Sequence, residues 1–139
     1  MQLNLVRLCL PPLLFLLAVP SCRFPHVGQR LLDIEIEQNG KPAFGGIRGV
    51  RDDMPVKQMW DVLGDVPFEA SGDEIPGTTD RDADFVTLTG KVLIRIKHVD
   101  RVLAETTVSE LKLVRSGGTS TWMLAAGEGQ RIRGQVNGQ

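Results

Sequence analysis

Apolar and polar residues alternate from Phe85 to His98, with Val86, Leu88, Val92, Ile94 and Ile96 on one face and Thr87, Thr89, Arg95 and Lys97 on the other. A period of two is the mark of a strand with one buried face, and a strand of this length needs partners on both sides. It is predicted as the centre of a sheet. Val99-Asp100-Arg101 turns the chain, and residues 102–115 return. Their apolar positions shift from even (Val102, Ala104, Val108) to odd (Leu111, Leu113), which predicts a bulge near Ser109 and Glu110. After a turn at Gly117-Gly118, residues 119–124 carry Trp122 in a third strand, completing a meander.

An N-terminal hairpin is predicted ahead of it. Leu32, Ile34 and Ile36 alternate with Asp33, Glu35 and Glu37, Asn39-Gly40 marks a turn, and Ala43, Phe44 and Ile47 supply a return strand interrupted by Gly45, Gly46 and Gly49. Between hairpin and meander, Val56, Met59, Trp60 and Leu63 fall at i, i+3, i+4 and i+7, one stripe of an amphipathic helix. Asp52 or Asp53 is its expected cap, and Gly64 lies just past its end. The residues from Asp65 to Asp84, with Pro67, Gly72, Pro76 and Gly77, read as a loop. The fold class expected is α+β: an antiparallel sheet, hairpin plus three-stranded meander, covered by one amphipathic helix. One domain is expected over residues 30–127, with a flexible tail over 128–139.

The first 29 residues read differently. Arg7 is followed by residues 8–19, which carry no charge, and then by Pro20-Ser21-Cys22. This is the three-part form of a secretory signal. The apolar run is too short to span a bilayer as a helix, which takes about 20 residues, and it contains Pro11 and Pro12. Of the two cysteines, Cys9 lies inside the run, so cleavage after Ser21 leaves Cys22 without a partner. Val19-Pro20-Ser21-Cys22 resembles the bacterial lipoprotein signal, in which an aliphatic residue, a small residue and Gly, Ala or Ser precede the acylated cysteine. Val19 and Ser21 match that pattern; Pro20 stands where a small or aliphatic residue is usual. The resemblance implies a signal peptide over residues 1–21, diacylglycerol on Cys22, a tether over 22–29 and a membrane anchor on the extracytoplasmic face of a bacterial envelope. Ordinary cleavage after Ser21 would give a secreted or periplasmic soluble form.

Loss of residues 1–21 removes Arg7 and no acid, so the formal charge moves from −1 to −2. With no Tyr and no basic surplus, nucleic acid is not an expected partner. Asp80, Asp82 and Asp84 have the alternate spacing that opens a calcium loop. Phe85 and Lys91, however, occupy the positions that need glycine and a bidentate acid, leaving only weak calcium candidates. His26, His98 and Cys22 show no zinc spacing. Neither a Gly-x-Ser-x-Gly elbow nor a phosphate loop occurs, so no cofactor is expected and the sequence assigns no catalytic residue.

The expected function is therefore a lipid-anchored envelope protein with a non-catalytic binding domain and an envelope partner. Two alternatives carry their own signatures. A small hydrolase or isomerase would use Asp73, Glu74, Asp80, Asp82 or Asp84 in a cleft beneath the helix, with a raised carboxylate pKa. A carrier would hold an apolar ligand between the Trp60 helix and the sheet.

Overall fold

The computed structural model describes residues 28–73, 78–79 and 84–138. Among these, seven strands form one antiparallel sheet: β1 (Gln29–Gln38), β2 (Lys41–Arg51), β3 (Phe68–Ala70), β4 (Thr78–Thr79), β5 (Phe85–His98), β6 (Arg101–Arg115) and β7 (Trp122–Leu124). The order is β1-β2-β3-β7-β6-β5-β4, and β1 also pairs with β5 from Asp33↔Lys97 to Gln38↔Val92. That extra pairing joins the two sides of the sheet, closing a barrel of β1, β2, β3, β7, β6 and β5.

Closure corrects the α+β expectation. The hairpin and the meander are both present, but they do not lie side by side in an open sheet under a helix. β3 comes from the segment read as a loop and bridges β2 to β7, through Phe44↔Ala70 on one side and Phe68↔Trp122 on the other. A barrel has no edge strands to protect, which removes the need for a covering helix. The interior takes the even positions of β1 and β5, with Phe44, Phe68, Val108, Leu111, Leu113, Trp122 and Leu124 from the other strands. Phe44 and Trp122 meet edge to face at 5.9 Å, and Arg115 lies over the Trp122 ring at 4.7 Å.

The expected helix is much shorter than its stripe. α1 is one turn (Val56–Met59), followed directly by a 3₁₀ segment (Trp60–Asp65). Pro55 occupies the N-cap with no side-chain cap, and Asp53 pairs with Arg51 at 2.9 Å instead of capping. Val56 is exposed, whereas Met59, Trp60, Leu63 and Val66 are buried. The tight winding is consistent with the side chains that face inward, since the 3₁₀ segment must deliver Trp60 and Leu63 to the barrel core within a few residues of Pro67.

The segment read as a flexible tail is also different: Glu128–Asn137 forms a helix, α2. Ile132 is fully buried, Val136 packs against the core, Arg133 pairs with Asp61 of the 3₁₀ segment at 2.8 Å, and the Gln135 amide donates to the Thr107 carbonyl at 2.7 Å. Two apolar residues one turn apart are a faint sequence signal. They suffice here because the 3₁₀ segment offers them a surface.

The register of β5 and β6 slips between Thr89↔Glu110 and Val92↔Val108, so Gly90 and Lys91 together face Ser109. The parity change of β6 therefore lies where the sequence put it, with the extra residue on β5. Gly90 has φ +95, and Asn39 of the β1–β2 turn fixes the bulge: its amide N–H donates to the Lys91 carbonyl at 2.9 Å, and its side-chain oxygen accepts from the Lys91 N–H at 3.0 Å.

Candidate functional site

The outer face of β1, β2 and β3 carries an open furrow of about 680 Å³. Its floor is Gly45, which pairs with Glu35 on one side and Glu69 on the other, with neighbouring Gly46 paired to Ile34 and Phe68. Strand alternation points Asp33, Glu35, Glu37, Ile47 and Glu69 outward along its walls, and Pro42, Pro67 and Ser71 complete the lining.

The two glycines serve different ends. A Cβ on Gly45 would meet nothing nearer than the Ile34 carbonyl oxygen at 4.0 Å, so a side chain there would simply fill the furrow. A Cβ on Gly46 would lie 2.6 Å from Val66 and 2.7 Å from the Pro67 carbonyl oxygen. Gly46 lets the segment entering β3 lie against β2, and with it the barrel closes.

Carboxylates line the furrow unequally. Arg95 of β5 donates to Glu37 at 2.8 Å, to Glu35 at 3.2 Å and to Glu105 of β6 at 3.3 Å, while Lys97 donates to Glu35 at 3.0 Å. This ladder crosses three strands. The Lys97 ammonium, with help from Arg95, holds the Glu35 carboxyl below the usual carboxylate range, and Glu37 and Glu35 hold the Arg95 guanidinium above its ordinary value. Asp33 and Glu69 form no ion pair among the described residues. Of the two carboxylates flanking Gly45, Glu35 is therefore paired and Glu69 is not, and the unpaired Asp33 lies one step along β1, opposite Ile47.

The acids singled out from the sequence are not brought together here. Asp73 is exposed, and Asp84 lies 3.7 Å from Arg115. Glu74, Asp80 and Asp82 lie outside the described residues, as do Ser21, Cys22 and His26. A general acid needs a raised pKa; among the described residues, Glu35 and Asp53 are instead held low, by Lys97 with Arg95 and by Arg51 respectively. The position that a carrier would keep open beneath Trp60 is filled, since Met59, Trp60 and Leu63 pack in the core at 0–2% exposure. His98 lies with Leu31 and Val99 beside a different depression at one end of the barrel.

Sequence reasoning missed the furrow because it took Gly45 and Gly46 only as weak points of a strand. The available signal was a pair of glycines opposite an acidic alternating strand. Comparison with protein-family models, with curated proteins and with solved structures finds no match for the chain.

Proposed function

We propose that this chain is an exported bacterial protein, tethered through a lipidated Cys22 to an envelope membrane, whose barrel binds an extended, basic segment of an envelope partner in the β1–β3 furrow. The tether reading is supported by the charged start, the short apolar run and the Val19-Pro20-Ser21-Cys22 sequence. The binding reading is carried by one observation: a glycine floor between Glu35 and Glu69, beside which Glu69 and, one step along β1 opposite Ile47, Asp33 point outward with no ion pair among the described residues. A flat floor admits backbone, and carboxylates on either side favour Lys or Arg.

Two measurements test the two parts. The intact mass of protein recovered from a bacterial host should show an N-terminus at Cys22 bearing two or three acyl chains, lost in Cys22→Ser; the bare mass of residues 22–139 would refute the tether. For the furrow, calorimetric titration with a lysine-rich peptide should give binding that weakens with salt. Asp33→Asn with Glu69→Gln should lower affinity about tenfold, which is about 1.4 kcal/mol. Gly45→Leu should abolish binding without loss of thermal stability. Equal binding by all variants, or none by the parent, would overturn the furrow's role.

A further inference from the structure

One end of the barrel carries a group of exposed aliphatic side chains on its outside. β1 begins there, β2 ends there, and the β5–β6 turn closes it, as the pairings Gln29↔Arg51 and His98↔Arg101 require. The outward residues at this end include Leu31 at 63% exposure, Ile47 at 58%, Val99 at 69% and Val102 at 45%, with Asp33 and Lys97 in register between Ile47 and Val102. Leu31 pairs with Gly49, whose missing side chain leaves it uncovered, and Ile47 lies diagonally beside it. The Asp33↔Lys97 pairing carries the same row on to Val99. Leu31, Ile47 and Val99 border a single shallow depression. Four large aliphatic side chains on adjacent strands form a patch, which calls for an explanation that single exposed residues do not.

Val99 adds a second observation. It is the first residue of the two-residue turn between β5 and β6 and has φ +58, a conformation that strongly disfavours β-branched residues. Hairpin turns at such positions ordinarily carry Gly, Asn or Asp. A strained, exposed valine at the tip gives the fold nothing that glycine would not give better. It does give the patch an apolar prow.

The chain enters the barrel at this same end. Gly28 accepts a hydrogen bond from the Asp52 amide beside the patch, and Cys22 is six residues before Gly28. A fully extended chain covers about 3.3–3.6 Å per residue, so the reach from Cys22 to Gly28 is at most about 22 Å. We infer that the Leu31, Ile47, Val99 and Val102 face docks on the lipid surface, seating the barrel end-on upon the bilayer that holds its tether. The inference rests on the tether reading, because only an anchor at Cys22 brings this end so close to lipid. Arg30, Arg51, Lys97, Arg101 and His98 stand among Asp33, Asp52, Asp53 and Asp100 around the patch, a near balance of charge, so its contact with the bilayer is apolar more than electrostatic.

The test uses the full chain processed by its host and reconstituted in phosphatidylethanolamine and phosphatidylglycerol vesicles. A nitrobenzoxadiazole dye is placed beside the patch through Asp52→Cys, or far from it through Ser120→Cys. Emission at position 52 should shift to the blue on reconstitution and be quenched by nitroxides held at headgroup depth, while emission at position 120 stays as in water. Leu31→Asp with Val99→Asp should abolish the shift at 52 with acylation intact. If the acylated protein floats with vesicles but the dye at 52 remains in water, docking is refuted and the tether stands. A blue shift without vesicles that grows with protein concentration would assign the patch to a second copy instead. A bare Cys22 by mass would remove both readings.

Discussion

Individual residues in this barrel are constrained by backbone geometry more than by chemistry. Gly46 has 2.6 Å of room where a Cβ would stand, against the side chain of Val66 and close to the Pro67 carbonyl, and backbone cannot give way as a flexible side chain can. Gly46→Ala should therefore cost about 1–3 kcal/mol, the range for overpacking a filled site. Gly45→Ala, one residue away with open space, should be neutral or slightly stabilising, since glycine in a strand carries an entropic penalty. Paired urea melts of the two variants check this, and equal losses would mean that the close approach is not what Gly46 provides. Val99 gives the opposite sign. Val99→Gly relieves a positive φ and should raise stability by about 1 kcal/mol, as read from the urea midpoint at constant slope. An unchanged midpoint would mean that the turn carries no strain. A gain would show that the wild-type residue is kept at a cost to stability.

At the scale of elements, the outer ladder of β1, β5 and β6 and the terminal helix make separate contributions. Glu35 is held below its ordinary pKa of 4.5 by Lys97 and Arg95, so its charged form is favoured by folding. The sign follows from linkage: a depressed carboxylate stabilises the fold above its unfolded pKa, and that contribution disappears as pH falls through the folded value. Glu35→Gln should thus be less stable than the parent at pH 7, and the two should converge as pH drops below about 4.5. The side chain is 38% exposed, so the gap at pH 7 should be small, about 0.2–1 kcal/mol. A constant gap from pH 7 to pH 3 would refute it. For α2, Ile132 is fully buried, and Ile132→Ala should cost about 2–4 kcal/mol by thermal or chemical unfolding. A loss below 0.5 kcal/mol would return the segment to the status of a dispensable tail.

The same elements show what was legible in the sequence. β1, β5 and the return of β6 were readable because one face of each is buried, and antiparallel pairing preserves the period of two. The helix over Val56 to Leu63 was misjudged because its stripe is equally compatible with one α-turn and a 3₁₀ segment that inserts Met59, Trp60 and Leu63 into the core. α2 was missed because Ile132 and Val136 are too sparse to show a period. Closure left one overlooked trace: outward acids Glu35 and Glu37 on β1 matched outward bases Arg95 and Lys97 on β5, charges that sit opposite in the barrel. β3 left none, being three residues in a segment whose prolines and glycines read as loop.

For the whole molecule, closure is uneven around the barrel, and the unevenness says where it opens. β1 and β5 pair along residues 33–38 and 92–97 with a charged ladder outside and Ile34, Ile36, Ile94 and Ile96 inside. β5 and β6 pair along nearly their full length. Between β3 and β7, the described residues pair only at Phe68↔Trp122. Few backbone hydrogen bonds protect that seam, so most of the resistance to parting comes from the buried Phe68 and Trp122 rings and from Phe44 packed on Trp122. Local opening follows the regions with least protection. Native-state hydrogen exchange should therefore find amides of Phe68–Ala70 and Trp122–Leu124 exchanging through a low-energy opening, while those of residues 33–38 and 92–97 exchange only with global unfolding. Phe68→Ala, which removes the ring from the seam, should lower the first opening free energy further and destabilise the whole by about 3–5 kcal/mol. Uniform exchange at all these sites would mean that the barrel opens as a single unit. Seam-first exchange would give the furrow, whose third wall is β3, a built-in means of widening for a bulkier partner without loss of the β1–β5–β6 body.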